Sequence, residues 1–600
     1  MLNLIITKNI NNKFKKDSNI YFGDWCKENK EDTTYNKIDI ELTKSFKEID
    51  KNYIEIDKIA CEIFPIFFEE LNKYFKTDYS ERFFQILLGN WFNYVVEIIY
   101  NRNLLVQKLN DSRKKFNIIT KISDNYPLAT SNSIEFFKAE ESDYWNQLLF
   151  SKIIKISNPE NIILEEIYDN ISSPFINDKK ENKINLKNII IKFSIFFNRI
   201  FSRKNKFFFI ETGFSRFDEF RLNLRFNQLV LWRDTLSYKK TVKIDHQLRS
   251  KLTRKLKSKL AKNKNDEVFK IIFELLFKLL PICYLEGFSS LNRIVEESYL
   301  PSNPKIIYTS TAYSTDDIFK LWTAKNVEEG TKYIIGQHGA VGWKKKSFVD
   351  RELQTADHFF SWGHSKFIKN SLATFCIKYD SKNVQIKRCK KTLLFIMAPY
   401  DTFQYRSFRS DILWRFNNEY DDYRKNTLNM INSFQDDLRK NIKVRLFRAN
   451  DKYSWTDHIG SDIDFWKKRL NVNQIDYGEE KIFNLFNKSK LIVHTYDSTA
   501  ILESLVHNMP TIIIFNNFMF EQLNDESKII FKKLHSVNIL FLDMKDAITF
   551  INKNWSNIET WWNHKQTQEQ IKIFCNKYAI KKENKVNHFK KIILEKVVSN

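Results

Sequence analysis

Residues 491–505 read Leu-Ile-Val-His-Thr-Tyr-Asp-Ser-Thr-Ala-Ile-Leu-Glu-Ser-Leu, and this stretch decides the fold. Four residues of a buried strand run into a hydroxyl-rich turn, and the turn opens an apolar-periodic helix. The same unit recurs on both sides. Residues 393–397, 443–447 and 511–515 read as further strands, with helices at 426–440, 480–487 and 499–506 between them. Upstream, strands at 305–310 and 333–335 flank a helix at 316–326. Strands and helices alternating at this interval predict parallel sheets and an α/β fold. Two such series joined near residue 385 predict two Rossmann-like domains facing a cleft. Residues 1–280 read as mostly helical, with the apolar Leu2–Ile6 as a first strand or a mobile end. The expected units are an N-terminal domain over 1–385, its Rossmann-like part from about 200, a C-terminal domain over 390–560, and helices over 561–600 packing back toward the first.

The chain has 600 residues, 43% of them hydrophobic and 15% aromatic, enough for several packed cores and too many for one. No uninterrupted apolar run reaches the roughly 18–20 residues that cross a bilayer. The nearest, 189–210, is broken by Lys192, Arg199, Arg203, Lys204 and Lys206. Six scattered cysteines without a CxxC pair predict a reducing cytoplasm and no zinc site. Lys and Arg exceed Asp and Glu by 97 − 73 = 24. The excess is spread along a chain rich in Lys, Asn, Ile and Phe, as compositional drift would leave it.

Ligands in open α/β sheets bind beyond the carboxyl ends of strands. In 491–505 the unpaired first amides of the helix and its dipole would favour a phosphate there, with Ser498 and Thr499 adding hydroxyls. Thr495 lies in the same turn, Glu503 would accept from ribose hydroxyls, and His494 would reach the phosphate or the sugar. Plain N-capping by Asp497 or Ser498 accounts for the same residue types. Glycine is scarce, yet six of eleven fall between Gly287 and Gly363. Three of these flank Gln337 and His338, in Gly336-Gln337-His338-Gly339-Ala340-Val341-Gly342. A histidine at a strand end beside Gly339 suits an acid, a base or a hydrogen-bond donor. Asp316 or Asp317, after the strand at 305–310, would supply a catalytic carboxylate, unless each only favours the helix start electrostatically. Pro399 and Tyr400 end the strand at 393–397, where the cleft would open, and Arg445 and Arg448 follow the next and could meet a phosphate. There is no GxxxxGK[ST] and no GxGxxG, and Asp462-Ile463-Asp464 lies in polar helical sequence, so no metal site is expected.

Taken in order, several pieces resemble a transferase family of bacterial O-antigen and capsule loci. They are 84–91 (Phe-Gln-Ile-Leu-Leu-Gly-Asn-Trp) through Tyr100-Asn101-Arg102, Gly336-Gln337-His338-Gly339 with Trp362-Gly363, Val444-Arg445-Leu446, and 495–499 with Glu503 and Pro510. The Gln-His-Gly and Ser-Thr…Glu pieces are also similar to those of capsule-type transferases using CMP-activated Kdo and related nonulosonic acids. Ala340-Val341 departs from the second glycine and aromatic of that pattern. The resemblance implies a GT-B fold, a cytoplasmic, metal-independent glycosyltransferase, and no cofactor beyond a CMP-sugar co-substrate. Its acceptor would be a surface polysaccharide, lipopolysaccharide or glycoprotein; an NDP-hexose donor is the alternative, as is a non-catalytic protein that keeps the fold. A nucleic-acid partner is not expected, because the aromatics fall at core-like helical spacing. Residues 239–264 carry eleven Lys or Arg against one Asp, with Leu248, Leu252, Leu256 and Leu260 along one stripe. Such a helix would lie on an anionic membrane, or bury its leucines and leave the lysines solvated.

Overall fold

The computed structural model describes residues 2–7, 19–22, 26, 46–176, 193, 196–198, 200–201, 203–230, 238, 242–259, 266–345, 353–364, 369–380, 391–401, 417–447, 459–460 and 463–598. The expected joint near residue 385 lies outside the described residues. Three parallel sheets organise the chain. The first holds β1 (Leu2–Ile5), β2 (Asn19–Tyr21), β3 (Phe116–Ile122) and β4 (Ile162–Tyr168) in the order β2-β1-β3-β4. Its helices include Phe46–Phe75, Glu81–Asp111 and Asp143–Ser157. The described residues of 1–280 are mostly helical, as read, but β3 and β4 escaped that reading. The Ile-rich 116–122 pairs along its whole length with β4, between long helices whose periodicity dominates the sequence.

The second sheet holds β5 (Phe207–Ile210), β6 (Ile306–Thr309), β7 (Lys332–Gly336), β8 (His358–Ser361) and β9 (Ser371–Ala373), side by side in chain order. The third holds β10 (Thr392–Ile396), β12 (Ile442–Arg445), β14 (Ile475–Asp476), β15 (Ser489–His494), β16 (Thr511–Ile514) and β17 (Leu540–Phe541). A separate short pair joins β11 (Tyr400–Asp401) to β13 (Ile459–Gly460). The six-stranded order is β14-β12-β10-β15-β16-β17. Counted from β10 this is 3-2-1-4-5-6, the order of dinucleotide-binding domains, with its reversal between β10 and β15. Near-continuous apolar strands such as 491–493 and 511–514 suit a sheet covered on both faces. The final helix Lys585–Ile592 returns to the second sheet, where the Phe589 ring meets Tyr308 at 4.9 Å and Phe360 at 5.8 Å. The Rossmann-like third sheet, met at its carboxyl edge by the loop that leaves the carboxyl end of β7, makes this an α/β fold of parallel sheets.

Three sequence-based expectations change once the packing is known. Asp316 caps the helix Asp317–Glu328, accepting from the Phe319 amide at 2.9 Å. Asp317 is buried in a polar node joining the first two sheets. Its oxygens accept from Ser133 N (3.1 Å), Ser133 Oγ (2.5 Å), Lys320 Nζ (3.1 Å) and Tyr284 OH. Burial, then the Asp317 charge, pushes the Tyr284 phenol well up, so it stays a donor. Neither aspartate is available to a reacting carbon. The leucine stripe is also internal. Leu252 and Leu256, on the helix His246–Ser258, are buried against the helix Glu267–Leu279. Arg249 turns inward to Glu286, 2.6 Å away, and to the carbonyls of Phe277 and Leu280. Leu260 and the two ends of 239–264 lie outside the described residues.

His494 is the third. It ends β15 fully enclosed, Nε2 3.1 Å from Ser504 Oγ, and burial pulls its pKa down to about 3. It braces strand against helix as a neutral ring and cannot touch a ligand from there.

Two outcomes follow. Lys320→Met should cost about 3–5 kcal/mol in chemical denaturation, because it strands the Asp317 charge in the interior. A loss under about 1 kcal/mol would mean that water reaches the node. For His494, the unfolded ring binds a proton below about pH 6.5 while the folded ring stays neutral, so stability is full above that pH and falls toward pH 3. Between pH 7 and 5 this group alone should remove about 2 kcal/mol. His494→Gln should flatten that part of the stability–pH curve, and an unchanged slope would refute the assignment.

Candidate active site

The seam between the second and third sheets is made by one loop. After β7 the chain turns through residues 337–345 and lies on the C-terminal domain. Gln337 is buried and braces the turn: its Nε2 donates to Gly339 O at 2.8 Å, and its Oε1 accepts from the Trp362 amide at 2.7 Å. Its amide is thus committed to the backbone, and His338 is left exposed at the seam. Gly339 is needed for close approach, since a Cβ there would stand 3.0 Å from Thr499 Oγ1. Ala340 N donates to that same oxygen at 3.1 Å. Gly342 takes φ +90°, and Trp343 then inserts beside Phe531, Phe574 and Tyr578. Lys344 pairs with Asp497 at 2.7 Å, and Asn524 Nδ2 donates to the carbonyls of Gly342 and Lys344, both at 3.1 Å.

Against Gly339 and Ala340 lies the start of the helix Thr499–Val506, at the β10/β15 switch point. The first amides of a helix have no intrahelical acceptors, and its dipole is positive there. Ser498 occupies the N-cap position with extended backbone (φ −110°, ψ 158°), yet its side chain caps nothing. Its Oγ is buried, and the side chain that reaches toward it is the neighbouring Tyr496 phenol. A buried hydroxyl that caps no amide of its own helix has hydrogen-bonding capacity left for a further partner. The Thr499 hydroxyl accepts from Ala340 and keeps its own proton to donate. Asp497 would repel an anion, but Lys344 neutralises it. One turn on, Glu503 is half-buried; burial pushes its carboxyl up, while the charges of Lys378 and Arg445 pull the other way. Pro399 lies half-buried just beyond β10, and Tyr400 opens β11.

Other candidates are occupied elsewhere. Arg445 donates to Asp476 Oδ2 and Glu480 O, both at 2.7 Å, and so holds the loop after β14. Thr495 donates to Ile396 O at 2.8 Å and bonds Tyr423 OH at 2.5 Å, tying β10 to β15. Both shape the edge from behind and leave no donor aimed at the seam. Arg448 lies outside the described residues. Among the described residues, no group of three or more His, Cys, Asp or Glu is placed to hold a metal ion.

Sequence reasoning missed Glu211. Ile210 pairs with Thr309, and Thr309 with Ile335, so Glu211, Ser310 and Gly336 lie level at the carboxyl edge of the second sheet. Glu211 therefore flanks β6 on one side and the Gln337-His338 turn on the other, about 10 Å apart at two strand spacings. Its backbone is left-handed (φ +46°), which a non-glycine residue adopts only when its surroundings impose it. Thr311 Oγ1 donates to its carboxylate at 2.5 Å. The available signal was a four-residue apolar run, 207–210, followed by Glu-Thr-Gly, but it sits inside a stretch that reads as one long apolar segment.

Among solved structures, the chain matches MurG of Acinetobacter baumannii at 9% identity and TM-score 0.29, covering 80% of this chain and 99% of that one. It matches the wall teichoic acid polymerase TagF at 9% identity and TM-score 0.28, covering 87% and 99%. Overlaps this weak say nothing about shared chemistry. No curated protein sequence matches it. The family model of the LIC12162 family transferase matches residues 3–593, nearly the whole chain, and the protein belongs to that family of transferases.

Proposed function

We propose that this transferase is a glycosyltransferase that moves a sugar from a nucleotide-activated donor to a glycan, glycolipid or glycoprotein acceptor in the cytoplasm. The observation that carries the reading is the helix N-terminus at the switch point, where the buried Ser498 hydroxyl caps nothing and the loop after His338 docks on Thr499. The helix amides, Ser498 and Thr499 bind the donor phosphate and stabilise it as it leaves, without a metal ion. Glu503 accepts from the ribose hydroxyls. On the opposite edge, Glu211 takes the proton of the acceptor hydroxyl as its oxygen bonds to the anomeric carbon, and His338 hydrogen-bonds the sugar or the departing phosphate. One helix start suits a donor with a single phosphate. Together with the Gln-His-Gly and Ser-Thr…Glu likeness, this favours a CMP-activated nonulosonic acid, Kdo or a sialic-acid-like sugar, destined for a surface polysaccharide, lipopolysaccharide or glycoprotein.

Calorimetric titration with CMP, UDP and GDP tests the site. CMP should bind, and Ser498→Ala should weaken it about tenfold or more with the fold kept by circular dichroism, since the Ser498 side chain caps no helix amide. Equal CMP affinity in the folded variant would remove Ser498 from the site, while preference for UDP or GDP would redirect the donor to an NDP-hexose. Glu211→Gln should lower turnover by about 100- to 10,000-fold and leave CMP affinity within about twofold. Near-normal turnover in that variant would leave the base to His338.

A further inference from the structure

Buried leucines rule out the helix His246–Ser258 as a membrane anchor, but another face has the required character. The helix Arg216–Arg225 is held by Leu222 and Asn223 and turns Phe217 (70% exposed), Phe220 and Leu224 (46%) outward. At about 100° per residue, these three form a narrow apolar row, at i, i+3 and i+7. Arg216 flanks the row on one side, and Arg221 and Arg225 flank it on the other, all exposed. The outward arc from Arg216 to Arg225 holds no carboxylate; the neighbouring Asp218 contacts Arg221 at 3.4 Å. A second row of the same spacing precedes β5: Phe193, Phe196 (63% exposed) and Ile200 (60%), followed by exposed Arg203, Lys204 and Lys206. The two rows converge on one end of an edge strand. The chain passes from the second row straight into β5, and the helix Arg216–Arg225 returns to the start of that strand, where the Phe226 ring lies 4.4 Å from Phe207.

We propose that this face docks on an anionic lipid bilayer, with the phenylalanine and leucine side chains in the acyl boundary and the arginines on lipid phosphates. Single exposed apolar residues are ordinary, but two rows of three next to the start of one strand are not. The charge pattern selects the partner. A protein-interface core is depleted in charge and meets mixed charge at its rim. An apolar centre bordered on both flanks by arginines, with Arg221 paired to Asp218 at its margin, fits a plane of phosphates. The inference does not depend on which reaction the seam performs.

The test is cosedimentation of the full chain with phosphatidylglycerol and with phosphatidylcholine vesicles. Retention is expected on the former only, falling with added salt. The charge-neutral pair Phe217→Ser and Leu224→Ser should lower partitioning about tenfold or more, with circular dichroism and melting temperature unchanged. Replacing Arg216, Arg221 and Arg225 by Gln should abolish the preference for phosphatidylglycerol. Lys251→Gln with Arg254→Gln and Lys255→Gln, on the helix His246–Ser258, should leave binding intact and so exclude general basicity. No retention on phosphatidylglycerol at low salt would overturn the proposal, as would unchanged partitioning in the serine pair. A dimer in sedimentation velocity that the serine pair dissolves would assign the face to a second copy instead.

Discussion

The arrangement rests on the docking of residues 337–345 against the C-terminal domain. Trp343 supplies the apolar anchor, filling a pocket of Phe531, Phe574 and Tyr578. Around it the loop spends its polar groups on specific partners: Ala340 N on Thr499, Lys344 on Asp497, and two carbonyls on Asn524. These contacts set how far His338 stands from the start of the helix Thr499–Val506. Moving the loop by an ångström would separate the candidate phosphate site from the candidate acid–base groups, and reaction rates fall steeply with such misplacement.

Behind the seam, buried polar nodes fix what the seam needs fixed. Asp317, Lys320, Ser133 and Tyr284 lock the first sheet to the second. Thr495 and Tyr423 tie the ends of β10 and β15 together, and Arg445 holds the loop after β14. Each removes charge or hydrogen-bonding capacity from the surface and commits it to position. The exception is Ser498, buried in the same way but capping no amide of its own helix. It stands at the switch point of the third sheet, where the proposed ligand phosphate would meet it.

The C-terminal domain was legible in the sequence because its strands are continuous apolar runs with hydroxyl-rich turns, as at 491–499. The second sheet was half legible, through 305–310 and 333–335. The first sheet was not, since 116–122 and 162–168 are short, partly polar strands set between long periodic helices. Among candidate residues, position along a strand was readable and direction was not. His494, Asp317 and Arg445 sit near strand ends as expected, yet their side chains turn into the protein, which only packing decides. Glu211 went unseen because its role depends on register with β6 and β7, strands about 100 residues further along the chain.

A crystal structure of the protein with CMP bound tests the central claim most directly. The account predicts the nucleotide phosphate within hydrogen-bond distance of Ser498 Oγ and the first amides of the helix Thr499–Val506, with ribose hydroxyls toward Glu503. Density for the nucleotide at another sheet edge, with no contact to Ser498 Oγ, would contradict it.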